Sequence, residues 1–305
     1  MPSLLVLGGT GFIGRHIINK ATSKRWEVTS VSLSLPSKKK RIKKVKYYKV
    51  DLKDFSIVKK KLNKQFNYII NLAGYINHSS SKNDYSKIIQ EHFISVKNII
   101  RIVPRENLRK FIQIGSSTEY GLAKAPQNEK TKLSPKTPYA LAKAKTTNYL
   151  KKIYKKEKYP FAIARLFLTY GPGQKKDRFL PQIIDACLKN KKFPTTSGKQ
   201  IRDFCYIDDT VSAIFLILTK KKTIGEIFNV ASGVPIKIKT VIDMTNKIIG
   251  KGIPEFNKRK LRYGENEVLY ANIRKMKKKL NWKPKTSLPK GLKKTIATFQ
   301  EKDNV

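Results

Sequence analysis

Tyr139 and Lys143 stand four residues apart in a stretch whose pattern predicts a helix over 139–156, so a phenol and an ammonium share one helix face. Ser116 ends a strand predicted over 110–114, in the run Gly115-Ser116-Ser117-Thr118-Glu119-Tyr120-Gly121, where its hydroxyl can face the same cleft. Spacing alone assigns these three no role. The N-terminal pattern is more specific. Gly8-Gly9-Thr10-Gly11-Phe12-Ile13-Gly14 follows an apolar strand, 3–7, and opens a helix, 14–23. In that setting glycines permit the tight turn and let a pyrophosphate lie against the helix N-terminus, where free N–H groups and the helix dipole favour an anion. The chemistry implied is that of a bound dinucleotide, with Gly8, Gly11, Phe12, Ile13 and Gly14 around it.

Later segments extend the same site. Asp51-Leu52, after the third strand, is placed to accept from an adenine amino group, and Asn71-Leu72-Ala73-Gly74 lets a cofactor pass close over the fourth. A site for NAD usually offers Asp or Glu to the ribose hydroxyls about 20 residues after the glycines. Here Ser32 falls near that position, and no acid occurs between Glu27 and Asp51. A carboxylate repels the 2′-phosphate of NADP, whereas Ser32, Ser34 and the lysines from Lys38 onward accept it. NADP(H) is therefore the expected cofactor, with NAD(H) as the alternative.

The elements needed to hold these groups alternate along the chain. Strands are expected at 3–7, 27–33, 47–50, 68–72, 110–114 and 161–167, with helices at 14–23, 55–62, 85–103 and 139–156. This is an α/β pattern whose natural solution is a Rossmann doubly wound parallel sheet over 1–167, completed by about 200–232. Beyond Gly171, closely spaced Gly and Pro mark a smaller C-terminal substrate-binding lobe, 168–199 and 233–305. No Gly/Ser linker separates the halves, so the lobes are expected to pack around one cleft.

Composition bounds the rest. A chain of 305 residues with 40% hydrophobic content can bury a real core. No apolar run reaches the roughly 20 residues of a membrane span, so no membrane partner is expected. Cys187 and Cys205 form no metal-ligand pattern, no metal is expected, and two isolated thiols suit the cytoplasm. The net charge of +45 raises the question of nucleic acid. Lysines spread along the whole chain, with many Ile and Asn, read instead as a solvated basic surface of the kind biased codon usage produces. No nucleic-acid partner is expected, although the charge attracts a phosphate-rich substrate.

With the nucleotide loop, Ser116, Tyr139 and Lys143 resemble the extended short-chain dehydrogenase/reductase family, that is, the NAD-dependent epimerases, dehydratases and reductases of nucleotide sugars. The resemblance covers nearly the whole chain. It implies that Tyr139 is the general acid or base, that Lys143 lowers its pKa and binds the nicotinamide ribose, and that Ser116 orients the sugar oxygen. A phenol with a pKa of about 10 is a poor base at neutral pH, and a neighbouring cation favours its phenolate.

Departures from the family pattern narrow the reaction. Relatives that dehydrate a sugar carry an acid just after the catalytic hydroxyl, where this chain has Ser117 and Thr118, expected to touch substrate. Glu119, one place later, should point elsewhere on an extended segment because side chains alternate. His92 stands where many relatives have asparagine and reads as a packed helix residue. Tyr170-Gly171-Pro172-Gly173, Arg178-Phe179-Leu180-Pro181 and Arg202-Asp203-Phe204-Cys205-Tyr206-Ile207-Asp208-Asp209 resemble segments that enclose a nucleoside diphosphate sugar. Arg178, Arg202 and Arg262 are the expected substrate ligands, the last two for the diphosphate, because guanidinium forks suit phosphate oxygens. Leu168 replaces an asparagine many relatives use near the sugar.

Thr196-Ser197-Gly198-Lys199-Gln200-Ile201-Arg202-Asp203-Phe204 is most similar to the 4-ketoreductases typified by CDP-abequose synthase. The first expectation is therefore reduction of a 4-keto-6-deoxy nucleoside diphosphate sugar. A C4 epimerase resembling UDP-glucose 4-epimerase is the second, and a cofactor-sensing or nucleic-acid-binding protein on a borrowed fold the third. The resemblance also implies a homodimer through the helices at 85–103 and 139–156.

Overall fold

Each periodic stretch of the first half becomes a separate element: β1 (Ser3–Leu7), α1 (Phe12–Ser23), β2 (Glu27–Ser32), β3 (Val45–Lys49), α2 (Phe55–Leu62), β4 (Tyr68–Asn71), α3 (Asn83–Ile89), α4 (Ser95–Ile102), β5 (Lys110–Ser116), α5 (Pro138–Glu157) and β6 (Phe161–Leu166). The second half runs β7 (Leu168–Tyr170), α6 (Phe179–Leu188), β8 (Lys192–Pro194), β9 (Ile201–Arg202), β10 (Phe204–Tyr206), α7 (Ile207–Thr219), β11 (Glu226–Val230), β12 (Ile236–Lys237), α8 (Ile238–Ile249), β13 (Ile253–Glu255), α9 (Arg274–Leu280) and α10 (Leu288–Asp303). The structure, a computed structural model, describes residues 1–74, 83–261 and 264–303.

Seven strands form one sheet in the order β11-β6-β5-β4-β1-β2-β3. β1 runs parallel to β2 and β4, β2 to β3, and β4 to β5. Leu4, Leu5, Val6 and Leu7 are wholly buried, as a central parallel strand covered on both faces requires. β3 lies at the edge and exposes Lys46 and Lys49, charges that discourage a further strand from pairing there. The chain reverses its direction of travel across the sheet between β1 and β4. Beyond the carboxyl ends of strands at such a switch point, doubly wound sheets bind their ligands. Val58 and Leu62 of α2, Val96 and Ile99 of α4, and Leu150 and Ile153 of α5 join one apolar cluster with Leu5, Leu7, Phe111 and Phe161 of the sheet.

The chain divides into two compact units. The first comprises 1–121, 133–165 and 211–228, and the second 122–132, 166–210 and 229–305. Residues 122–132 cluster with the second unit because the Gln127 N–H donates to the Tyr270 carbonyl and the Asn272 N–H to that of Gln127. Residues 201–206 do so through strand pairs, β9 with β12 and β10 with β7. The helix expected over 85–103 is interrupted: Gln90–Ile94 winds as a π-helix between α3 and α4. Among the described residues, no helix is long and apolar enough to cross a membrane.

Lys110, at the start of β5, fastens α7 to the first unit. Its buried ammonium donates to the carbonyls of Ile217 and Lys220 and to the Thr223 hydroxyl, groups at the end of that helix. Lys110→Met removes this donor and leaves buried acceptors without it. A loss of about 1–3 kcal/mol is expected in urea unfolding; an unchanged midpoint and slope would show that α7 is held by its apolar contacts alone.

Candidate active site

The glycine loop is built from absent side chains. Gly8 has φ +79° and donates its N–H to the Val31 carbonyl at 2.7 Å, and Gly11, the residue before α1, donates to the Gly8 carbonyl at 3.1 Å. A Cβ at Gly14 would lie 2.5 Å from the Gly8 carbonyl oxygen, against backbone that cannot step aside. No side chain caps α1, and Phe12 and Ile13 open its first turn. Uncapped N–H groups beside a loop without side chains fit the pyrophosphate of a dinucleotide.

The neighbouring strand ends shape the rest of this region. Ser32 accepts the Thr10 N–H at 3.2 Å and donates to the Val31 carbonyl at 2.8 Å, so its hydroxyl braces the loop. Asp51 accepts the Lys53 N–H at 3.0 Å, and Asn98 of α4 donates to the carbonyls of Leu52 and Lys53, each at 3.0 Å. Leu72 donates its N–H to Leu7, and the Ala73 N–H goes to the Asn71 side chain, itself hydrogen-bonded to Gln113. Gly74, at φ +120°, lies against the His92 ring, where a Cβ would come within 2.1 Å of the imidazole.

Ser116, Tyr139 and Lys143 belong to the same unit. Thr137 caps α5 by accepting the Ala140 N–H at 3.3 Å, and Pro138 opens the helix, which puts Tyr139 in its first turn. Lys143 follows one turn later, 5.7 Å from the centroid of the Tyr139 ring, and its Nζ donates to the Ile114 carbonyl at 3.0 Å, two residues before Ser116. Burial lowers the Lys143 pKa to about 8, and the negative charge of Glu119 opposes that shift. The Ser116 hydroxyl accepts from the N–H and hydroxyl of Thr118, at 3.2 and 2.9 Å, while Ser117 is buried beside it.

Two expectations about this region need correction in detail. Ser117–Tyr120 is a turn of 3-10 helix, so strand alternation does not govern Glu119; its carboxylate turns inward because it closes a capping box with Ser116. His92 is buried, but on the π-helical turn rather than a regular helix, and its ring meets the edge of Tyr139 with centroids 5.1 Å apart.

In the second unit, Arg178 precedes α6, half-buried, with its Nε 3.5 Å from an Asp177 oxygen. Arg202 is buried, paired with Glu265, and donates to the carbonyls of Ile201 and Glu267 at 2.8 and 3.1 Å. Arg262 lies outside the described residues. The acids of the same motif hold backbone: Asp203 accepts from the N–H groups of Ser232, Gly233 and Ala271, and Asp209 from those of Lys285 and Thr286. Burial pushes the Asp203 carboxyl above its ordinary range even so.

Known proteins resemble this chain in sequence and in fold. A dTDP-D-glucose 4,6-dehydratase of Dictyostelium discoideum is 28% identical over 276 residues, a match that spans 83% of this chain but 63% of that protein. An uncharacterized UDP-glucose epimerase of Bacillus subtilis is 29% identical over 311 residues, 96% of each chain. The X-ray structure of Pal from Bacillus thuringiensis aligns with a TM-score of 0.89 at 26% identity, covering 98% of this chain and 99% of that one. A UDP-glucuronic acid 4-epimerase of Bacillus cereus, solved with UDP-glucuronic acid and NAD, shares the fold with a TM-score of 0.88 at 24% identity and the same coverage. The pattern of the NAD dependent epimerase/dehydratase family matches residues 4–231, and the chain belongs to that family.

Proposed function

We propose that the protein reduces the C4 ketone of a 4-keto-6-deoxy nucleoside diphosphate sugar with NADPH. The observation that carries this reading is a gap in negative charge at the end of β2. No carboxylate occurs between Glu27 and Asp51, and the exposed turn Lys38–Lys40 follows Ser32. An ammonium-rich turn without acids attracts a 2′-phosphate, which a ribose-binding carboxylate would repel. Sugar dehydration is disfavoured by the same kind of gap, since Ser117 and Thr118 carry no acid and Glu119 is turned into the protein.

A bound nicotinamide supplies the hydride. Ser116 orients the ketone oxygen, and Tyr139 gives that oxygen its phenolic proton. Lys143 stabilises the phenolate left behind, in its charged form below about pH 8. The diphosphate is assigned to Arg202, in exchange for Glu265, and to Arg262, with Arg178 as a further substrate ligand. The active form is a homodimer.

C4 epimerisation with firmly held NAD is the second reading. It is favoured by relatives: the B. subtilis protein is called an epimerase, and the B. cereus structure holds NAD with UDP-glucuronic acid. Denaturing the purified protein and identifying the nucleotide released separates the two. An empty or exchangeable site that prefers NADPH is expected; stoichiometric NAD that resists exchange transfers the assignment to the epimerase. Tyr139→Phe should lower hydride transfer by roughly 10²–10⁴ and leave cofactor affinity nearly intact, measured by nicotinamide absorbance and by titration. Turnover retained in that variant would remove Tyr139 from the acid role.

A further inference from the structure

We propose that Glu119, paired with Arg165, is a positioning residue: its carboxylate fixes Ser116 to the helix that carries Tyr139 and Lys143, and sets a negative charge near the Lys143 ammonium. The proposal rests on the reading that those three side chains form the reaction centre.

Glu119 and Arg165 are fully enclosed, their side chains 0% and 1% exposed. One carboxylate oxygen accepts the Ser116 N–H at 2.9 Å. The other accepts the Thr147 hydroxyl at 2.7 Å and an Arg165 N–H at 2.9 Å. Thr147 follows Lys143 by one turn of α5, on the same face. A single carboxylate thus ties the end of β5 to α5. The chain makes room for it at Gly115, where a Cβ would stand 2.6 Å from the Glu119 oxygen. Arg165 comes from β6, its guanidinium 4.5 Å from the centroid of the Tyr120 ring. A carboxylate so deep requires a cation, and Arg165 is that cation.

Stability alone does not explain the pair, because an apolar pair of similar volume folds a protein as well or better. An apolar pair can neither hold the Ser116 N–H nor place a negative charge near Lys143. Among the described residues, the groups facing Lys143 are the Tyr139 ring on its own helix, the Ile114 carbonyl on β5 and Glu119 on the following turn. His92 packs against Tyr139 from the π-helical turn, and Arg165 faces Glu119 from β6. Glu119 lies over Gly115 and Ser116, next along β5 from the carbonyl that receives the Lys143 ammonium. Burial pulls Lys143 down to about 8, and Glu119 is the charge that resists it.

The test titrates Lys143 directly in protein labelled with [6-¹³C]lysine. Lys143 and Lys110, both lowered to about 8, stand apart from the ordinary lysine pKa of about 10.4, and Lys143→Met and Lys110→Met assign those two signals. In Glu119→Gln the Lys143 midpoint should fall by about half a pH unit or more. Glu119→Gln/Arg165→Met removes both charges together, leaves no buried guanidinium unpaired, and should show a smaller shift in the same direction, since loss of the Arg165 cation offsets part of the loss of Glu119. Where the protein turns over a nucleotide sugar, kcat should drop roughly ten- to a hundredfold with KM little changed, and its decline with rising pH should begin lower. An unmoved Lys143 midpoint in either variant, with wild-type circular dichroism and melting, would overturn the proposal. The titration needs no substrate, so a wrong reaction assignment appears as absent turnover while the Lys143 shift is still read.

Discussion

At Gly8 three stretches of backbone meet with no room for a side chain between them. A Cβ there would lie 3.0 Å from the Ala73 nitrogen and the Leu72 carbonyl carbon, and one at Gly9 would lie 2.3 Å from the Ser30 hydroxyl. The loop after β1 is therefore seated directly on the ends of β2 and β4, while Gly14 brings the first turn of α1 against the Gly8 carbonyl. The sheet register follows this contact. Leu7 stands level with Val31 and with Asn71, and Asn71 with Gln113, so β5 reaches three residues beyond its neighbour to end at Ser116. The serine's place relative to the nucleotide loop is a consequence of where backbones touch backbones two strands away.

The helix α5 is held to that frame by polar contacts made in a region where water is excluded. Lys143 reaches the Ile114 carbonyl, Thr146 donates to the His92 carbonyl at 3.1 Å, and Thr147 donates to Glu119. These contacts join α5 to β5, to the π-helical turn and to the turn after Ser116. Hydrogen bonds of this kind discriminate among packings that apolar contact would accept, because a slipped helix leaves each donor unmatched in a medium of low dielectric.

What the sequence made legible is the part with a local signal. The glycine loop sits where a strand pattern gives way to a helix pattern, and β1, α2 and β4 start at the residues their apolar periods indicate. Tyr139 and Lys143 lie one turn apart on α5, and Lys143 reaches the Ile114 carbonyl, two residues before Ser116 at the end of β5, on elements the pattern predicts. Illegible contacts join residues far apart in the chain. Arg202 reads as a phosphate ligand from its own motif, yet its partner Glu265 is 63 positions away; Asp203 reaches Ala271 across 68, and Asn98 reaches Leu52 across 46. Glu119 turns away for a reason the local pattern does not carry: alternation holds only while the strand continues, and here the chain turns into 3-10 geometry immediately after Ser116. The π-helical turn leaves no trace because the apolar pattern runs through it unbroken.

The two buried lysines beside β5 differ in what surrounds their ammonium groups. Burial lowers both to about 8, so the shift by itself does not distinguish them. An ammonium has three donors. Lys110 directs its Nζ to two carbonyls and a hydroxyl at the end of α7, a complete set that fastens a helix. Among the described residues, the hydrogen bond of the Lys143 Nζ is to Ile114 alone, and the group it stands beside is a phenol. An ammonium desolvated in this way, with donor capacity left over and a titratable neighbour, is poised to hold a ligand oxygen and to shift its charge balance when that neighbour gives up a proton. Burial creates the perturbation in both lysines; among the described residues, only Lys143 of the two has donors left over and a phenol beside it.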